Sequence, residues 1–108
     1  MIWLKKAKSI LAAFAAGDID CVEESLSSDI RYETGVVLFY GFEVCEYLIK
    51  LHDGANISYQ INRSAYNDKT IFLEATHIEK KGYSQATTDE VHIFEFDNYG
   101  KVKFWRVY

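Results

Sequence analysis

The chain has 108 residues, a net charge of −4, two cysteines and no proline, the size and balance of one domain spanning residues 1–108. Half of it is apolar (49%), enough for a modest core, and 16% is aromatic, a surplus that suits a lined cavity or an interface. Positive charge gathers only in "KKAK" and "EKK", which argues against a nucleic-acid surface, and no apolar run is long enough to span a membrane.

Trp3, Leu4, Ala7, Ile10, Leu11 and Phe14 recur at spacings of three and four, one apolar face of a helix that Gly17 ends. A second helix carries Ile19, Val22 and Leu26. Asp18 can cap it, and Asp20 is a rival cap with Glu23 three residues on; "SSD" closes it. A short strand is predicted around residues 36–40. Val44, Cys45, Leu48 and Leu51 then mark a third helix, ended by "HDG" at 52–54.

After residue 55 the period changes from 3.6 to 2, predicting three or four long antiparallel strands. Their sequences are "NISYQINRSAY", "TIFLEATHIEK", "SQATTDEVHIFEFD" and "KVKFWRVY". In the third, His92, Phe94 and Phe96 share one face. In the last, Val102, Phe104, Arg106 and Tyr108 oppose Lys103, Trp105 and Val107. Bulky groups on both faces predict helices on one side and a homodimer through the outer sheet face.

Cys21 and Cys45 form neither a metal pair nor a disulfide framework. They are expected to be inert core thiols of a cytoplasmic protein without a signal peptide. His52, His77 and His92 are far apart with no ligand motif, and no phosphate loop or dinucleotide fingerprint occurs. Neither metal nor cofactor is expected.

"ILAAFAAGDIDCVEESLSSD", "YGFEVCEYLIKL" and "VHIFEFDNYGKVKFWRVY" together resemble the nuclear transport factor 2-like superfamily, also described as SnoaL-like or ketosteroid isomerase-like. The resemblance covers nearly the whole chain. It implies an α+β, cystatin-like cone in which three N-terminal helices pack in a strongly curved, mostly antiparallel sheet, with a pocket at the open end and frequent dimers. It also implies three departures from the steroid isomerases. Ile10 stands at their donor tyrosine, Thr34 at their catalytic aspartate and His92 at their oxyanion-hole acid.

The resemblance places His92 inside the cone, where an imidazole can move a proton near neutral pH. Glu33 neighbours the base position and is the candidate carboxylate. Tyr59, Phe94, Trp105 and Thr34 are the candidate ligand-binding residues, with Tyr47 and Asp89 behind them. The function expected is a small-molecule-binding cone, as a cofactor-independent isomerase, dehydratase or cyclase acting on an apolar substrate. The alternative is a non-catalytic ligand-binding protein or a dimeric interaction or structural protein.

Overall fold

The structure, a computed structural model, describes residues 2–108. Its elements are α1 (Ile2–Ala15), α2 (Ile19–Glu24), β1 (Leu26–Glu33), β2 (Leu38–Tyr40), α3 (Phe42–His52), β3 (Asn56–Asn67), β4 (Thr70–Lys81), β5 (Ser84–Phe96) and β6 (Val102–Val107). The strands form one curved, unclosed sheet in the order β2-β1-β6-β5-β4-β3, with the three helices packed against it. Only β1 and β6 run parallel; every other neighbouring pair is antiparallel.

The predicted face of α1 is the buried one: Ala7, Ile10, Leu11 and Phe14 are all sealed. Gly17 stops the helix with a positive φ of 77°, while the Gly17 and Asp18 amides donate to the Phe14 and Ala13 carbonyls. Asp18 wins the cap position, because its Oδ1 accepts from the Cys21 amide at 3.1 Å. A Cβ on Gly17 would sit 3.1 Å from the His52 ring, whose Nε2 contacts the Ala15 carbonyl. Gly17→Ala is therefore expected to lower stability by about 1–2 kcal/mol, through left-handed strain and displacement of His52. A denaturant melt with an unchanged midpoint would contradict this.

The second helix is shorter than its pattern predicts. It ends at Glu24, and Leu26 opens a strand instead. Leu26 pairs with Val102, whose amide donates to the Ser25 carbonyl. The polar run at 27–29 does not close a helix; it is the exposed stretch of β1 before buried Ile30 and Tyr32. A parallel pairing with a strand some seventy residues away fixes this segment, and nothing local announces it. The strand predicted at 36–40 is confined to Leu38–Tyr40. Thr34 Oγ1 accepts from the Val36 and Val37 amides and holds them in the turn.

Two further expectations are corrected. Cys21 is exposed, because only Val22 of the six-residue α2 is sealed in the core. Cys45 is half-buried, and burial, then the Glu23 carboxylate, pushes its thiol pKa up. On β6, Val102 does not share a face with Phe104. Val102 and Trp105 are both buried, because the register shifts where Glu95 pairs Phe104 and Phe96 pairs Val102. One extra β6 residue at that bulge reverses the facing of the residues beyond it.

Candidate functional site

Alternation on β5 points Glu90, His92 and Phe94 to the helical side of the sheet. Ala75 stands across from Glu90 and Leu73 across from His92 on β4; Val107 and Trp105 stand across from His92 and Phe94 on β6. Tyr59 of β3 pairs with His77 of β4. These residues meet Tyr32 and Thr34 of β1, Phe14 of α1 and the Tyr47–Leu51 side of α3 around a cavity of about 180 Å³. Larger hollows lie elsewhere. Among the described residues, the groove of about 340 Å³ beside α1 has no histidine in its wall, and the hollow of about 510 Å³ around residues 50–56 and 79–81 places His52 with Asp53 and Glu79 without a hydrogen bond or ion pair between their side chains.

One hydrogen-bonded chain organises the cavity wall. The Trp105 indole Nε1–H donates to His92 Nδ1 at 3.0 Å, in a buried contact. His92 Nδ1 is therefore the acceptor nitrogen, and Nε2 carries the proton it shares with Glu90 Oε1 at 2.8 Å. His92 is 2% exposed and is the only fully buried polar or charged residue among those described. The other carboxylate oxygen, Oε2, lies 3.7 Å from His77 Nδ1, beyond hydrogen-bond reach. Tyr59 presents its ring at near right angles to both imidazoles, 5.1 Å from His77 and 5.7 Å from His92. Phe94 stacks on Trp105 at 4.9 Å, and Tyr32 meets Trp105 edge-on at 5.2 Å.

Burial pushes the pKa values of Tyr32 and Tyr59 far above the ordinary tyrosine value of 10.0, with the Glu90 carboxylate adding to the rise in both. Both hydroxyls thus stay protonated and able to donate at any physiological pH. Above about pH 10 the unfolded chain ionises these tyrosines while the folded chain keeps their protons. Their stabilising effect is complete below pH 10 and is lost as pH rises beyond it, by up to about 1.4 kcal/mol per pH unit for each. Tyr59→Phe is expected to flatten the alkaline fall of the unfolding free energy, whereas Tyr83→Phe at an exposed site leaves its slope alone. Equal slopes for the two variants would contradict this.

The structure brings together His92, Tyr59, Trp105 and Thr34, all of which line the cavity. Phe94 is fully buried behind Trp105 and supports the wall without lining it. Glu33 is elsewhere. Its carboxylate accepts from Arg31 Nη2 at 2.9 Å and from Arg106 Nη1, and Arg106 in turn lies over the Tyr108 ring. Strand parity separates Glu33 from its neighbours Tyr32 and Thr34, which do reach the cavity. Asp89 accepts from Thr76 Oγ1 on an exposed stretch of β5 and does not line the cavity. Glu90, which is not among the residues that the sequence singles out, is the carboxylate at the site. A step of two residues back from His92 along its own strand face reaches it. His77 and His92 both meet the Tyr59 ring, and each has a nitrogen within 4 Å of the Glu90 carboxylate, at 3.7 and 2.8 Å.

Within the described residues, no group of three or more histidine, cysteine, aspartate or glutamate side chains is placed to hold a metal ion, and no helix is long and apolar enough to cross a membrane. No protein-family model matches the chain, and no curated protein matches it by sequence. Solved structures match its fold over nearly its whole length. A candidate SnoaL-like polyketide cyclase from Shewanella denitrificans OS-217 superposes with a TM-score of 0.87 at 12% identity, covering 98% of this chain and 88% of that one. An LEH-like epoxide hydrolase from M. tuberculosis gives 0.85 at 22% identity, covering 98% and 80%. An NTF2-like protein of unknown function from Burkholderia pseudomallei K96243 gives 0.84 at 15% identity, covering 100% and 90%. The structural neighbours are thus NTF2-like and SnoaL-like proteins, and the fold is the α+β cone that the sequence resemblance implied. At these identities the likeness concerns the fold, which hosts many chemistries.

Proposed function

We propose that the chain is a small-molecule-binding domain whose cavity receives a compact, largely apolar ligand, with Glu90 as the proton-accepting group. The carrying observation is the chain from Trp105 through His92 to Glu90, which ends on the cavity wall. That chain fixes the Glu90 carboxylate in one orientation, with its second oxygen free of any hydrogen bond among the described residues and its side chain on the cavity wall. His92 is a positioning residue in this reading: both its nitrogens are engaged, so Glu90 is the group that meets the ligand. Tyr59 and Thr34 supply hydroxyls, and Trp105 supplies an apolar wall. The reaction class is cofactor-independent proton transfer in an isomerisation, dehydration or cyclisation. The cyclase and the epoxide hydrolase among the neighbours support that class.

Incubation of the full chain with a metabolite extract, followed by mass spectrometry of what it retains, supplies the test. A retained molecule that the protein converts, with conversion lost in Glu90→Gln and partly kept in His92→Gln, is the expected result. Conversion unaffected by Glu90→Gln overturns the assignment. A retained molecule returned unchanged favours the second reading, a binding domain without turnover. The departures at Ile10 and Thr34 and the ion-paired state of Glu33 support that reading.

A homodimer through the outer sheet face forms part of the proposal. Leu38, Tyr40, Phe72 and Tyr108 leave apolar surface exposed on or beside that face. Light scattering should find twice the chain mass, reduced to one chain by Phe72→Glu. The two unpaired thiols support a reducing compartment such as the cytoplasm.

A further inference from the structure

Glu90 has a negative charge with no full counter-charge. Its side chain is only 18% exposed, and the ion-pair partners within 4 Å are two histidines, with no lysine or arginine among the described residues. His92 does not neutralise it, because its Nδ1 is occupied by the Trp105 indole N–H and the imidazole therefore holds a single proton. His77 lies too far for a hydrogen bond. No lysine or arginine lines the cavity, so with its two imidazoles neutral the wall has one formal charge and it is negative. That charge is felt across the cavity, since Glu90 contributes to the depressed acidity of both Tyr32 and Tyr59.

The rest of the wall is rich in aromatic rings: Phe14, Tyr32, Tyr47, Tyr59 and Trp105. Ring faces attract cations, and they do so most strongly where water is excluded. An anion here would meet the carboxylate. A neutral molecule would leave the charge uncompensated. The space of about 180 Å³ equals roughly six waters at about 30 Å³ each, which sets a small ligand.

We propose that this cavity binds a small alkylammonium ion, with the Glu90 carboxylate as its counter-ion and the tyrosine and tryptophan rings as its walls. The proposal rests on the small-molecule reading above and supplies its ligand class. The alkyl groups satisfy the apolar wall, and the positive charge completes the pairing that the protein leaves open on Glu90.

Tetramethylammonium and tert-butyl alcohol, near-isosteric and differing in charge, provide the test on the full chain. Titrations at about pH 8.5, above the ordinary imidazole range, leave the ammonium as the added cation. The Trp105 indole N–H resonance, assigned with Trp3→Phe, reports binding. The expected result is saturable binding of the ammonium roughly tenfold or more tighter than the alcohol. Glu90→Gln should abolish that preference, bringing the two affinities to within about twofold of each other. If Glu90→Gln does not fold, Tyr59→Leu serves as the second variant and should weaken the ammonium more than the alcohol. Equal affinities in the wild type, or a preference that survives Glu90→Gln, overturn the ammonium proposal and leave the cavity reading standing. No saturable shift with either compound overturns both.

Discussion

Phe94→Ala is expected to destabilise the fold by about 3–5 kcal/mol, a large share of the roughly 5–15 kcal/mol typical of a whole domain. Phe94 has no exposed surface, stacks on Trp105 at 4.9 Å and lies parallel to the His92 ring at 6.2 Å. Its neighbours belong to different elements: Ile71 across β4 on one side and Trp105 across β6 on the other. Collapse around the lost ring would have to move Trp105, and Trp105 is tied to His92. The void should therefore stay largely unfilled, which puts the cost at the upper end for its class. Urea unfolding monitored by tryptophan fluorescence measures it. A loss below about 1.5 kcal/mol would mean that the site repacks freely, and that the wall behind the cavity is not rigid. Phe94→Leu, which keeps more of the volume, should recover much of the loss.

His92→Leu is expected to cost about 2–4 kcal/mol although leucine is apolar and of comparable size. The cost comes from the partners it strands. The Trp105 indole N–H loses its acceptor, and Glu90 Oε1 loses its only short donor. Each partly or fully buried group then carries its own desolvation penalty of about 1–3 kcal/mol. His92→Gln can present a carbonyl to Trp105 and an amide N–H to Glu90, and should recover part of the loss. The pair of variants separates a packing role from a hydrogen-bonding one. If leucine were tolerated as well as glutamine, the chain from Trp105 to Glu90 would not be a stabilising unit, and Glu90 would lack the fixed orientation that the proposed function requires. The Trp105 indole proton resonance gives an independent readout, because it should move sharply in the leucine variant and less in the glutamine one.

The elements that the sequence predicts well share a property: each is specified by its own period. The apolar rows of α1 and α3 turn to the core, burying Ala7, Ile10, Leu11 and Phe14 in the first and Val44 and Leu48 in the second, while Cys45 is half-buried and Leu51 stays exposed; Phe14 and Leu48 reach the cavity. On β5 the alternation that groups His92 with Phe94 and Phe96 holds in the fold and, extended by two residues, reaches Glu90. Gly17 and Asp18 perform the stop and the cap that their chemistry predicts.

The elements that it misses depend on partners far along the chain. β1 exists because Leu26 to Glu33 lies beside β6, and its irregular register hides the alternation of Ile30 and Tyr32 behind a polar run. Glu33 has the same cause. Its neighbours make it look like part of a site, but strand parity turns it away from the cavity, and two arginines on that side take its charge. The bulge between β5 and β6 puts Val102 and Trp105 on the same side although their separation in sequence is odd.

Residue pattern alone sets α1, α3, the long strands after residue 55 and which residues of β5 share a face, because side-chain direction comes from local backbone geometry. Tertiary structure was needed to put the Glu90 carboxylate on the cavity wall beside His92, and to let Trp105 fix which nitrogen of His92 holds the proton. Glu90 and His92 share one strand face, but Trp105 comes from a second strand whose register no local pattern encodes, and its 3.0 Å hydrogen bond to His92 exists only once that register is set.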